Sequence, residues 1–82
     1  MLEKLLKELG ERGYEVMWRY ETMTNSIRIR MEKKIGKEWC YEERIVGFDE
    51  LYYGSGSQSM FEFNMDRILR EMFRRLRNRL PI

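Results

Sequence analysis

Histidine is absent from the 82-residue sequence, and cysteine and proline occur once each, as Cys40 and Pro81. Without histidine the chain has neither a histidine general base nor a Cys/His zinc site. A single cysteine also excludes an intramolecular disulfide. The carboxylates show no spacing that singles out a metal site or a general acid/base pair. We therefore predict that the protein is not an enzyme and that it holds no metal or cofactor.

Long apolar runs are absent as well, and a helix needs about 20 consecutive apolar residues to span a membrane. The opening residues, Met1–Leu6, mix acidic and basic side chains and lack the apolar segment and cleavage site of a signal peptide. A lone cysteine without an export signal is typical of a reducing compartment. We expect a cytoplasmic protein without membrane contact, built as a single domain over residues 1–82.

The spacing of apolar residues predicts a helix, three strands and a second helix. Apolar residues recur at three- and four-residue intervals near both ends of the chain and alternate with polar residues between them. A Ser-x-x-Glu capping box at Ser59–Glu62 predicts the start of the second helix. The predicted elements are a helix over Leu2–Leu9, strands over Tyr14–Tyr20, Ile27–Glu32 and Glu38–Val46, a flexible segment at Gly54–Ser57, and a helix from the Ser59 cap to about Leu80, ended by Pro81.

Both helices need an apolar partner surface, and one face of a three-stranded sheet provides it. The expected fold is therefore α+β, a two-layer sandwich of helix, three-stranded antiparallel sheet and helix (α-β-β-β-α), with the far sheet face open to solvent or to a partner. The facing of the third strand stays ambiguous. If the core takes the odd-numbered residues of this strand, it buries Trp39, Tyr41 and Ile45. If the core takes the even-numbered residues, it buries Cys40 and Val46. A bulge within the strand is the third possibility.

Positive charge is concentrated at the end of the chain. From Arg67 onward six arginines accompany a single acid, Glu71, whereas the preceding residues carry ten cations and thirteen carboxylates. At about 100° per residue, four of these arginines lie within roughly 80° of one another on the last helix. We call this set the arginine ridge; it is either a solvated basic face or a docking surface for phosphates or for an acidic protein. The arginine ridge consists of Arg67, Arg70, Arg74 and Arg77.

Five carboxylates are grouped in the middle of the chain, relieved only by Arg44. One interpretation is structural, in which these acids pair with Arg28 and Arg30 across the sheet. The other is functional, in which they imitate a nucleic-acid backbone and bind a basic groove of another protein. This acidic segment consists of Glu38, Glu42, Glu43, Asp49 and Glu50.

Aromatic residues exceed what so small a core obviously needs. We expect most of them in the core. If one phase of a strand points outward, an aromatic and arginine patch on the open sheet would suit protein binding or stacking with single-stranded bases. A seam of Trp39 and Tyr41 would also suit a homodimer. The aromatic residues in question are Trp18, Trp39, Tyr41, Tyr52 and Tyr53.

The predicted order of one helix, three strands and one helix resembles the double-stranded-RNA-binding domain. That resemblance implies direct binding of nucleic acid, here through the arginine ridge. The family carries a lysine-rich cluster at the start of its second helix. In this chain the corresponding stretch, Ser59–Asp66, is neutral to acidic, and the basic residues come later.

A second resemblance covers roughly residues 2 to 46. The segments Leu5–Leu9, Gly13–Val16, Asn25–Arg30 and Trp39–Glu43 are similar in layout to some type II-A anti-CRISPR proteins of phages. This resemblance implies a non-enzymatic inhibitor, encoded by a phage or mobile element, that acts in the bacterial cytoplasm. Such inhibitors imitate DNA with carboxylates, which here would be the acidic segment. The arginine ridge would then contact guide RNA, DNA or an acidic protein patch.

We therefore expect a binding protein. The leading hypothesis is an inhibitor that occludes the surface of a bacterial nucleic-acid-handling effector of the CRISPR type, a protein or a ribonucleoprotein. The alternative is a direct nucleic-acid-binding domain that uses the arginine ridge. A structural homodimer joined through the open sheet is the third hypothesis.

Overall fold

A computed structural model describes residues 2–52 and 58–80. It confirms the α+β fold and the predicted order, in which one helix precedes three antiparallel strands and a long helix follows them. A four-residue helix follows the third strand. The elements are α1 (Leu2–Glu11), β1 (Tyr14–Glu21), β2 (Ser26–Ile35), β3 (Glu38–Gly47), α2 (Phe48–Leu51) and α3 (Gln58–Arg79).

The sheet is a simple meander in the order β1-β2-β3. The first hairpin turns at Asn25, whose φ is +48°, and the second turns at Gly36, whose φ is +63°. Asparagine and glycine are the residues that adopt this left-handed conformation most readily, so the sequence chemistry fits both turns. β2 is longer than predicted because Lys33 and Lys34 still pair with β3, opposite Cys40 and Trp39.

The core lies between one face of the sheet and the helices. α1 packs on β1 and on α3, and α3 also packs on β3. Ile29 and Met31 of the central strand are completely buried and belong to one core cluster with Met65 and Leu69 of α3. The predicted alternation of β2 and the helical periodicity at both ends of the chain are therefore confirmed.

The structure resolves the facing of β3. Val46 is buried and Cys40 half-buried on the helix side of the sheet, whereas Trp39, Tyr41 and Ile45 are 48%, 49% and 57% exposed on the other side. The register with β2 is continuous from Ser26 opposite Gly47 to Ile35 opposite Glu38, which leaves no bulge. We call the sheet surface that α1 and α3 leave uncovered the open face.

The connection from the sheet to α3 is held by a buried hydrogen bond. Asn64 Nδ2 donates to the backbone oxygen of Leu51 over 2.8 Å, which ties α2 to α3. α3 begins at Gln58, so Ser59 belongs to its first turn and the prediction that Ser59 caps the helix is wrong. The predicted flexible segment at Gly54–Ser57 and Pro81 lie outside the described residues.

Candidate functional site

The arginine ridge lies along the flank of α3. The buried face of this 22-residue helix packs in the core, and all four ridge arginines are exposed. At a rise of about 1.5 Å per residue, the ridge is roughly 15 Å long from its first to its last Cα atom. The structure thus brings the four predicted residues together on one surface.

One ridge arginine is tied within the helix. Arg70 Nε donates to Asp66 Oδ1 over 2.7 Å, one helical turn away. This hydrogen bond, supported by the charge of Asp66, raises the pKa of the Arg70 guanidinium. Arg70 is therefore held in place while 61% of its side chain stays exposed.

The other three ridge arginines make no ion pair in the part of the chain that the structure describes. The guanidinium carbon of Arg77 lies 5.5 Å from the ring centroid of Phe73, within the range of a cation–π contact. Arg67 and Arg74 have no such aromatic neighbour among the described residues. Within residues 2–52 and 58–80, neither of them forms an ion pair with a carboxylate, although Glu71 lies in the same surface depression.

The remaining arginines of α3 are used to attach the helix to itself and to the sheet. Arg75 Nη2 pairs with Glu71 Oε1 at 3.0 Å, and Glu71 also accepts from Arg44 of β3 at 3.3 Å. Arg79 pairs with Glu42 at 2.6 Å and also donates to the backbone oxygen of Tyr41. These ion pairs balance the charges of Arg75 and Arg79, two of the six arginines that make the end of the chain basic.

The acidic segment is divided between different surfaces. Consecutive residues of a strand point to opposite faces, so Glu43 lies on the open face whereas Glu42 lies on the helix side, paired with Arg79. Glu38 is exposed at the start of β3, and Asp49 and Glu50 are exposed on α2. None of these last three makes an ion pair with another described residue.

The predicted pairing with Arg28 and Arg30 is present for Glu43. Its two carboxylate oxygens accept from Arg28 Nη1 at 2.8 Å and from Arg30 Nη1 at 3.3 Å. Arg28 Nε also donates to Glu21 over 2.7 Å, which lowers the pKa of the Glu21 carboxyl and raises that of the Arg28 guanidinium. The centre of the open face is thus a network of opposite charges with little excess of either sign.

Aromatic side chains border this network on β3. The guanidinium carbon of Arg30 lies 4.0 Å from the ring centroid of Tyr41, and Lys34 Nζ lies 5.9 Å from that of Trp39. The exposed residues of β3 therefore form, with Arg30, the aromatic and arginine patch that the sequence allowed, and this patch lies on the open face. By contrast, Trp18 and Tyr52 pack partly buried against the core, and Tyr53 lies outside the described residues.

Sequence reasoning missed a second group of cations beside the ridge. The guanidinium carbon of Arg12 lies 5.7 Å from the Phe73 centroid, on the ring that Arg77 also contacts. Lys33 Nζ lies 4.7 Å from the Tyr14 centroid and donates to the backbone oxygen of Arg12 over 2.6 Å. The only sequence signal is the position of Arg12 between Gly10 and Gly13, just after the predicted helix Leu2–Leu9.

No group of three or more Cys, Asp or Glu side chains within residues 2–52 and 58–80 is placed to hold a metal ion. None of the helices in the same described ranges has both the length and the apolar content to cross a membrane. No family model, curated protein or solved structure matches the chain.

Proposed function

We propose that the chain is a non-enzymatic binding protein that contacts the phosphate backbone of a nucleic acid with the arginine ridge. One observation carries this proposal: Arg67 and Arg74 are exposed and lack a carboxylate partner among the described residues, on the same flank of α3 as Arg70. Elsewhere on α3, Arg75 and Arg79 are each paired with a carboxylate.

Such an arrangement has a cost in the free protein. Like charges three or four residues apart on a helix repel by about 0.2–0.5 kcal/mol per pair. Duplex DNA carries one negative charge per roughly 1.7 Å of axis, so a ridge about 15 Å long faces several phosphates at once. Guanidinium groups suit this partner because they grip two phosphate oxygens together. Phosphates bound along the ridge would offset this repulsion.

The carboxylates support a weaker case for imitation of DNA. Glu42 and Glu43 are paired with arginines of the same chain and lie on opposite faces of β3. A mimic would have to break those pairs or rely on Glu38, Asp49 and Glu50 alone. For this reason we place the binding surface on the ridge.

The test is fluorescence anisotropy of labelled duplex RNA and duplex DNA with the double variant Arg67→Glu/Arg74→Glu. Arg70 is left intact because its loss would leave the buried Asp66 carboxylate without its ion-pair partner. The matched control is Lys7→Glu/Lys37→Glu, which makes the same change in net charge at two exposed residues outside α3.

We expect the wild-type protein to bind at low salt. With about four phosphate contacts, its affinity falls roughly 100-fold between about 50 and 200 mM salt. The ridge variant is expected to lose binding, and the control to keep most of it. The proposal fails if the wild-type protein binds neither duplex at low salt, or if both double variants lose affinity equally.

The open face favours a second candidate function, inhibition of a bacterial effector. Met17, Trp39, Tyr41 and Ile45 are each about half exposed there. Aromatic residues, methionine and arginine are enriched in protein interfaces. As a second candidate we propose that this face occludes the surface of a CRISPR-type effector loaded with guide RNA.

This second candidate is tested by retention of the protein on an immobilised type II-A effector loaded with guide RNA. The variant Trp39→Ala/Tyr41→Ala is expected to lose retention, and the ridge variant is expected to keep it. The opposite pattern assigns the contact to the ridge, and no retention of the wild-type protein rejects the candidate. A mass that rises with protein concentration and falls in the aromatic variant would instead assign the face to a homodimer.

A further inference from the structure

The basic surface continues from α3 onto the turn that follows α1. Arg12 and Arg77 are 65 positions apart in the sequence, yet their guanidinium carbons lie 5.7 and 5.5 Å from the centroid of the same ring, Phe73. The ring of Tyr14 meets Phe73 edge-on, with 5.0 Å between centroids. One aromatic ring therefore contacts two cations, one from the turn after α1 and one from α3.

Arg12 also shares a groove with the ridge. The groove runs between α1 and α3, has a volume of about 140 Å³, and is lined by Leu5, Glu8, Leu9, Arg12, Arg70 and Phe73. Pockets that bind whole small molecules usually measure about 300 Å³ or more. A groove of this size admits a phosphate group and is too small for a nucleotide with its base.

Charge in the groove favours an anion. Arg12 makes no ion pair with any described residue, and Arg70 makes one, with Asp66. Glu8 is the one carboxylate that lines the groove, and its charge contributes to the raised pKa of Arg70. Lys33 and Tyr14 face the same cluster from the sheet. Arg12, Arg70 and Lys33 together exceed Glu8 and Asp66 by one positive charge.

The aromatic ring at this site is already engaged. Phe73 contacts two guanidinium groups and the edge of Tyr14, and it remains half-buried in the core. Stacking with a nucleic-acid base requires a free aromatic surface. The ring thus serves to orient cations, and contacts made here go to phosphate oxygens.

We propose that Arg12 and Arg70 form a phosphate-binding groove between α1 and α3, continued by Arg77, which holds the nucleic-acid backbone without reading its bases. This inference rests on the proposed function of the ridge. It adds a residue from outside α3 and specifies that the contact is independent of base sequence.

The experiment is anisotropy with labelled duplexes of equal length and different sequence, comparing Arg12→Ala with Lys7→Ala. Both residues are exposed, and the backbone oxygen of Arg12 that accepts from Lys33 is retained in the alanine variant. Arg12→Ala is expected to weaken binding by roughly 5- to 10-fold and to make the slope of log affinity against log salt shallower by about one. Lys7→Ala is expected to change neither quantity.

Two further arms test the chemistry of the groove. Glu8→Gln removes the opposing charge and is expected to strengthen binding by roughly two- to five-fold. Inorganic polyphosphate, a phosphate chain without bases, is expected to displace the duplex from the wild-type protein and less effectively from Arg12→Ala. All duplex sequences are expected to bind within about two-fold of one another.

The failures are distinguishable. If Arg12→Ala and Lys7→Ala behave alike while the ridge variant still loses binding, the groove is wrong and the proposed function stands. Affinity that changes more than roughly ten-fold with base sequence overturns the backbone-only contact. If the wild-type protein binds no nucleic acid, the proposed function fails and the groove with it.

Discussion

Arg70 Nε and Asp66 Oδ1 are joined by a hydrogen bond of 2.7 Å in the middle of the arginine ridge. Asp66 is the only buried carboxylate among the described residues, and its other oxygen has no hydrogen-bond partner there. Arg70 is therefore both part of the exposed basic surface and the group that neutralises a buried charge. Among the described residues, none of the other ridge arginines pairs with a buried carboxylate.

This division predicts different effects of two similar substitutions. Arg70→Ala leaves the Asp66 carboxylate buried and unpaired, so it is expected to lower the midpoint of urea unfolding clearly. Arg74→Ala removes an exposed side chain that pairs with no carboxylate in residues 2–52 and 58–80, and it is expected to leave the midpoint unchanged. Equal midpoints for the two variants would show that the Asp66–Arg70 pair has no role in stability.

The facing of β3 predicts a second contrast, between two isoleucines. Ile29 is completely buried in the core, whereas Ile45 is 57% exposed on the open face. Ile29→Val is expected to lower the free energy of unfolding by about 0.5–1.5 kcal/mol. Ile45→Val is expected to change it by less than about 0.5 kcal/mol. Urea unfolding of both variants measures the difference, and similar losses would contradict the assigned phase of β3.

The sequence predicted which face of a strand is buried wherever one set of alternate residues is clearly apolar. Ile27, Ile29 and Met31 alternate with charged residues, so the core face of β2 was predictable. In β3 both phases mix apolar and charged residues. Its facing is set by partners far away in the sequence, since Arg44 and Glu42 on the helix side pair with Glu71 and Arg79 of α3.

The candidate site was predictable only in part. Helical periodicity alone grouped Arg67, Arg70, Arg74 and Arg77 on one flank. It did not show that Asp66 neutralises Arg70 while Arg74 stays unpaired, because this depends on side-chain geometry. Arg12 escaped prediction because its neighbour Phe73 comes from the opposite end of the chain.

The edge of the sheet yields a third prediction. β3 is an edge strand, and Arg79 donates to both the Tyr41 carbonyl and the Glu42 carboxylate. Arg79→Ala frees a backbone acceptor on that edge, and unprotected edges pair with other chains. We expect the variant to self-associate more than the wild-type protein in light scattering over a concentration series. The control is Arg75→Ala, whose side chain pairs with Glu71 and donates to no described backbone oxygen of β3. Identical masses for all three proteins would contradict a protective role.

The open-face network predicts a dependence of stability on pH. The hydrogen bond from Arg28 lowers the pKa of Glu21 in the folded state. A lowered folded-state pKa contributes stability above the unfolded pKa of about 4.3, and this contribution is lost as the pH falls through the folded value. Glu21→Gln is therefore expected to be less stable than the wild-type protein near neutral pH and to lose less stability on acidification.

Urea midpoints measured from about pH 6 to pH 3 test this expectation. The control is Glu11→Gln, at the exposed end of α1, where the carboxylate makes no ion pair with another described residue. The prediction is wrong if the acid limb of the Glu21→Gln profile runs parallel to that of the wild-type protein.

Chemical-shift mapping on ¹⁵N-labelled protein titrated with a short duplex tests the central claim most directly, because it reports where the nucleic acid lies. The account predicts that the largest amide shifts occur in residues 67–77 of α3 and at Arg12, with little change on the open face around Trp39 and Tyr41. Shifts centred on the open face with an unperturbed ridge, or no shifts at all at low salt, would contradict it.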